Sequence, residues 1–129
     1  MKVNPMDLGV CGVEQLLYAG KVNFDDTDVD KGIALCTLPA NIIITRAVCV
    51  VGTAFNAATT NVLTVGTNSD VDDILAAADI TEGSAGVYSK QTFVEHNAKK
   101  TVKAKYTQTG TAATAGEAEI YLFVVRIPD

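Results

Sequence analysis

The sequence predicts an all-β chain, and three observations carry that prediction. Val, Ile and Thr are abundant. Gly, Asn, Asp and Pro break the apolar runs at intervals of roughly ten residues. Between the breaks, apolar and polar residues follow the two-residue alternation of strands more often than the longer period of helices. Together they predict a single-domain antiparallel β-sandwich or jelly roll of about eight strands over residues 14–129. One short helix is inserted near residues 70–78, and residues 1–13 form an extended N-terminal arm.

The elements are expected in this order. Residues 14–24 make a first strand, ended by the acidic turn Asp25-Asp26-Thr27-Asp28. Residues 32–38 make a second, stopped by Pro39, which has no N–H for a ladder. Residues 41–52 make a long third strand, apolar on both faces. Strict alternation puts Ile42, Ile44, Val48 and Val50 on one side, with Ile43, Ala47, Cys49 and Val51 on the other. Such a strand lies between two layers of protein, within the fold or across a subunit contact. Residues 61–67 follow as a short strand. Residues 69–78 carry a Ser or Asp N-cap, early carboxylates and then alanines, which predicts the helix. Residues 86–95 are a further strand. Residues 99–106 alternate cleanly, with Val102, Ala104 and Tyr106 inward and Thr101, Lys103 and Lys105 outward. After a polar loop, residues 117–127 form the last strand. There Tyr121, Phe123 and Val125 oppose Ile120, Leu122 and Val124, so this strand too is apolar on both faces and hints at self-association.

Composition narrows the function. The 129 residues are 48% hydrophobic, the mean hydropathy is +0.22 and only 19% are charged. That charged share is below the roughly 25% of ordinary soluble domains, which fits a surface partly hidden against partners. A net charge of −5 and a pI of about 4.7 argue against nucleic acid and against anionic membranes. The start of the chain lacks a cationic region followed by a long apolar run, so no signal peptide is expected. Cys11, Cys36 and Cys49 form no CxxC pair and read as small buried hydrophobes. Reduced thiols and the absence of an Asn-X-Ser/Thr sequon fit synthesis in a bacterial cytoplasm.

Catalytic chemistry finds little support. His96 is the one histidine, and neither Ser84 nor Ser89 sits in a nucleophile elbow, so His96 reads as a surface or loop residue. The run Asp26-Thr27-Asp28-Val29-Asp30 fails as an EF-hand, because its glycine is displaced and Thr37 stands where glutamate is needed. A looser calcium site there, or at Asn68, Asp70 and Asp72, competes with simpler readings as a solvated turn and a helix start. With no Trp, platforms for sugar stacking are scarce. The expectation is therefore no enzyme, no cofactor and no metal.

Several stretches carry a family resemblance. Leu38-Pro39-Ala40-Asn41-Ile42-Ile43-Ile44, Val48-Cys49-Val50-Val51-Gly52-Thr53-Ala54-Phe55-Asn56 and Asn61-Val62-Leu63-Thr64-Val65-Gly66-Thr67 are three of them. Ala104-Lys105-Tyr106-Thr107-Gln108-Thr109-Gly110-Thr111 and Thr114-Ala115-Gly116-Glu117-Ala118 are the others. In this order they resemble small jelly-roll-like structural proteins of tailed bacteriophages, the head decoration or cement type. The motifs specify turns and bends: Gly66 for a close approach, Gly110 and Gly116 for positive φ. The resemblance implies a capsid-surface protein bound to the major capsid protein of the head, self-associating as a homotrimer first and a dimer second. A tail- or head-fibre-associated adaptor, or a receptor- or glycan-binding module, is the alternative.

Two surfaces are candidate contacts under that reading. The arm (Val3, Pro5, Met6, Leu8, Val10) suits strand addition to a neighbour, or else it covers its own sandwich. Lys99, Lys103 and Lys105 could meet an acidic capsid patch, or else they guard an exposed edge strand.

Overall fold

The computed structural model describes residues 13–127. They fold into seven strands: β1 (Glu14–Asn23), β2 (Ile33–Leu38), β3 (Ile42–Thr53), β4 (Thr60–Gly66), β5 (Gly86–His96), β6 (Lys100–Thr109) and β7 (Glu117–Arg126). Each boundary follows from a breaker the sequence carries. Pro39 halts β2, and Asn41 at φ 62° turns the chain into β3. Gly110 at φ 84° turns it out of β6, and Gly116 at φ 152° leads it into β7.

Consecutive strands alternate between two antiparallel sheets, a front sheet in the order β1-β7-β3-β5 and a back sheet in the order β2-β6-β4. The pairs β1–β7, β2–β6 and β3–β5 are nested. They describe one long hairpin rolled into a sandwich, which is the jelly-roll arrangement. Its innermost pair is reduced to a single bridge, Val65 with Leu75. Between the sheets lies one apolar core. Ile42, Ile44, Leu63, Val65, Val102, Tyr106, Ile120 and Leu122 are all at most 1% exposed, and the Phe55 and Tyr106 rings pack 4.6 Å apart.

Three expectations need correction. Residues 70–78 are not a helix; the stretch contains only a short 3₁₀ turn, Ala77–Asp79. Val71 stands at φ 55°, and Asn68 ties back Asp72 through its side chain. The amides of Ile74 and Leu75 both donate to the Val65 carbonyl, while the Val65 amide donates to Leu75. Good capping chemistry lost because Val71, Ile74 and Leu75 are all drawn into buried positions, and an edge of β4 needed partners. The count is seven strands among the described residues rather than about eight, the seven placed one by one from the sequence. The third correction concerns β3. A bulge between Ile44 and Arg46 shifts the phase of the strand. Ile42, Ile44, Ala47, Cys49 and Val51 therefore point inward, and Ile43, Val48 and Val50 point outward.

Candidate functional site

The two outer faces of the sandwich differ in chemistry. On the back sheet the outward residues of β6 are Thr101, Lys103, Lys105 and Thr107, flanked by Thr64 of β4 and Ala34 of β2. On the front sheet the register assembles cross-strand rows instead. Glu14, Val125, Ile43 and Glu95 form one row; Leu16, Phe123, Arg46 and Gln91 form the next. Tyr18, Tyr121, Val48 and Ser89 form the third, and Lys21, Glu119, Val50 and Val87 the fourth.

The centre of the front face is apolar and aromatic, with its charges mostly at the two ends. Leu16 is 61% exposed, Tyr18 48%, Val87 67% and Phe93 72%. Tyr18 and Tyr121 pack ring on ring at 5.2 Å, and the Arg46 guanidinium lies 5.9 Å from the Phe123 ring centre. Glu14 and Thr45 are hydrogen-bonded at one end, and Lys21 pairs with Glu117 at the other. A face about four strands wide at ~4.8 Å spacing and ~34 Å long presents about 650 Å². That area is of the whole face, its charged and polar positions included.

The two-sided character of β3 and β7 was legible in the sequence; the contributions of β1 and β5 were not. Leu16 beside Leu17 and Tyr18 beside Ala19 carry the signal in β1, because adjacent apolar residues must face opposite ways. Val87 beside Tyr88 and Phe93 beside Val94 carry the same signal in β5, and the pairing of β5 with β3 brings that strand to this sheet.

Lys99, Lys103 and Lys105 are placed differently from one of their two expected readings. β6 is the central strand of the back sheet, so Lys103 and Lys105 guard no edge. They project from the middle of a polar face, with Lys99 in the turn that precedes the strand. Among the described residues, none of the three is paired with a carboxylate. The arm residues Val3, Pro5, Met6, Leu8 and Val10 lie outside the described residues.

The remaining polar groups close the fold. His96 is not a surface residue. It ends β5 only 6% exposed, with its Nε2 3.2 Å from the Thr67 hydroxyl, which donates to Asp73 at 2.7 Å. Burial first of all, opposed by Asp73 and assisted by Lys100, lowers its imidazole below the usual 6.5. Glu82, a residue with no sequence signal, is buried and accepts the Leu63 amide at 2.9 Å. Its own carbonyl accepts the Phe55 amide at 2.9 Å. It serves the free edge of β4 where a further strand would have paired. Burial, reinforced by the Glu82 charge, pushes the Cys49 thiol up to about 12, which makes it inert as a nucleophile.

The two acidic clusters are spent on loop closure. Asp26 accepts the Asn23 amide and Asp28 pairs with Lys31, while Asn68 and Asp72 bond to each other. Among the described residues, no group of three or more His, Cys, Asp or Glu side chains is gathered to hold a metal ion. No helix of the described residues is long and apolar enough to cross a membrane.

No protein-family model matches the chain, and no curated protein sequence does. Solved structures do. A chain of the cyanophage Pam1 capsid asymmetric unit superposes with a TM-score of 0.67 at 17% identity, covering 99% of this chain and 94% of that one. A chain of the Ralstonia phage GP4 capsid gives 0.65 at 18% identity, covering 100% and 92%. A chain of the acid-stable capsid of Helicobacter pylori bacteriophage KHP30 gives 0.56 at 14% identity, covering 91% and 100%. The fold of this chain, over nearly its whole length, is one that also occurs in chains of three phage capsid structures.

Proposed function

We propose that this chain is a virion structural protein of a tailed bacteriophage. It acts as a decoration or cement protein that binds the assembled head and stabilises it through protein–protein contacts alone. The observation that carries a protein-binding role is the set of large apolar side chains on the front sheet, Leu16, Tyr18, Val87 and Phe93, which are 48–72% exposed among the described residues. The likeness in fold to chains of phage capsids supports the setting. Lys103 and Lys105 of the back sheet, with Lys99 just before it, none paired with a carboxylate among the described residues, supply a contact for an acidic patch of the major capsid protein. The arm residues Val3, Pro5, Met6, Leu8 and Val10 add a second contact. Synthesis takes place in the bacterial cytoplasm and the final location is the capsid surface.

One observation favours a second reading. Tyr18, Tyr121, Phe93 and Phe123 gather on one accessible face, a feature that a receptor- or glycan-binding module would share.

Purified protein mixed with heads lacking it distinguishes the two. Saturable co-sedimentation that raises the heat resistance of the heads supports decoration. The combined Lys99→Glu, Lys103→Glu and Lys105→Glu variant should weaken this binding about tenfold or more, with a steep salt dependence. No binding to heads, with binding to tails, host cells or glycans instead, would overturn the proposal.

A further inference from the structure

The segment 67–75 is closed under strain. Val71 is buried at φ 55°, in the left-handed region that strains a β-branched residue. Ile74 and Leu75 are buried too, and the Val65 carbonyl takes both of their amides. Asp73 ties the segment back to its start, accepting the Thr67 amide at 2.6 Å and the Thr67 hydroxyl at 2.7 Å. His96, at the end of β5, ties it to the front sheet, with Nε2 3.2 Å from the same hydroxyl.

These contacts fix the state of the ring. Thr67 has one hydroxyl proton and gives it to Asp73, so towards His96 its oxygen only accepts. The neutral ring therefore carries its proton on Nε2. Nδ1 is left as a bare acceptor, buried and without a hydrogen-bond partner among the described residues. A second proton goes to Nδ1, where it makes a buried, charged N–H that nothing accepts. Burial acts first against that cation; Asp73 favours it, and Lys100 at the start of β6 disfavours it. β3 places Ile42 beside His96, and Arg126 of β7 stands beyond Ile42 in the same row.

From this geometry we infer that His96, Thr67 and Asp73 form an acid-opened latch. It holds residues 67–75 over the edge of β4 and releases them when His96 takes up its second proton. The protonated ring reaches water by leaving the Thr67 hydroxyl, and the strained turn at Val71 then has one tie fewer. Release uncovers the N–H and C=O of Val65, which Leu75 and Ile74 otherwise occupy.

Amide exchange of the full chain between about pH 7 and 5 tests the latch, each rate divided by the intrinsic rate of that amide at that pH. Protection of Ile74 and Leu75 should fall about threefold to tenfold over this range, because the open state binds the extra proton more readily. Ile120 and Leu122, in the middle of β7, should stay better protected at every pH, which marks the opening as local. His96→Gln keeps an amide donor near the place of Nε2 and does not titrate, so its Ile74 and Leu75 protection should stay flat. The chain has one histidine, so nitrogen NMR of that ring reads its neutral tautomer directly, expected as Nε2–H.

Flat protection of Ile74 and Leu75 in the wild type would overturn the inference, whether or not His96→Gln folds. A fall that persists in His96→Gln would overturn it as well, since another group would then be responsible. An Nδ1–H tautomer would remove the bare acceptor on which the latch depends. Ile74 and Leu75 exchanging no faster than Ile120 and Leu122 would show that the segment opens only with the whole fold, and the latch would fall.

Discussion

Replacing Glu82 with leucine tests whether this carboxyl group stands in for a missing strand. Glu82 is 7% exposed and takes the Leu63 amide at 2.9 Å on the side of β4 away from β6. Leucine keeps the bulk and removes the acceptor, which leaves a buried N–H without a partner. That omission costs about 1–3 kcal/mol, so about 2 kcal/mol is the expected loss. Unfolding entropy of ~2.1 cal/mol/K per residue gives about 0.27 kcal/mol/K for this chain, so the melting temperature should fall about 7 °C. Glu82→Gln retains a side-chain carbonyl for the same amide and should lose less than half as much. Calorimetry reads the melting temperatures, and amide exchange reads Leu63 directly, whose protection should drop in the leucine variant alone. A leucine variant as stable as the wild type, or a glutamine variant equally destabilised, would refute the argument that the hydrogen bond is what Glu82 contributes.

Two further outcomes are expected. Gly116 stands at φ 152° with its missing Cβ directed at the Phe55 ring, so Gly116→Ala combines backbone strain with overpacking and should cost about 2–4 kcal/mol. Gly52→Ala meets nothing within 4 Å and should be neutral or stabilising by up to about 1 kcal/mol; equal melting temperatures for the two variants would contradict this. His96 has a lowered folded-state pKa, so the unfolded chain binds its proton more readily. Its contribution is complete above about pH 6.5 and is lost as pH falls through the folded-state value. His96→Asn should therefore lose less of its melting temperature than the wild type between about pH 7 and 5; parallel curves would refute it.

Much of this was readable from the chain alone. Alternation and breakers marked each of the seven strands to within about three residues, because strand period and turn chemistry are local properties. The inward set of β6, Val102, Ala104 and Tyr106, followed from the two-residue period, which also split β7 into its two apolar sets; burial then chose Ile120, Leu122 and Val124 as the inward one. Gly66 was legible as a close approach: a Cβ there would lie 2.5 Å from the Asp72 amide nitrogen.

Tertiary structure decided the rest, because the deciding interactions join residues far apart in sequence. Residues 70–78 carry helix signals, yet the partners of Ile74 and Leu75 lie on β4, and burial there outweighed local propensity. The inward set of β3 depended on a bulge visible only in its pairing with β7 and β5. That Lys103 and Lys105 stand on a central strand is a matter of sheet order, which no local pattern encodes. The apolar front face needed four strands from opposite ends of the chain. The sequence by itself determined which residues form strands and which of them are apolar on both sides. Only the rolled hairpin determined that these second sides share one surface, because strand order and register are set by non-local pairing.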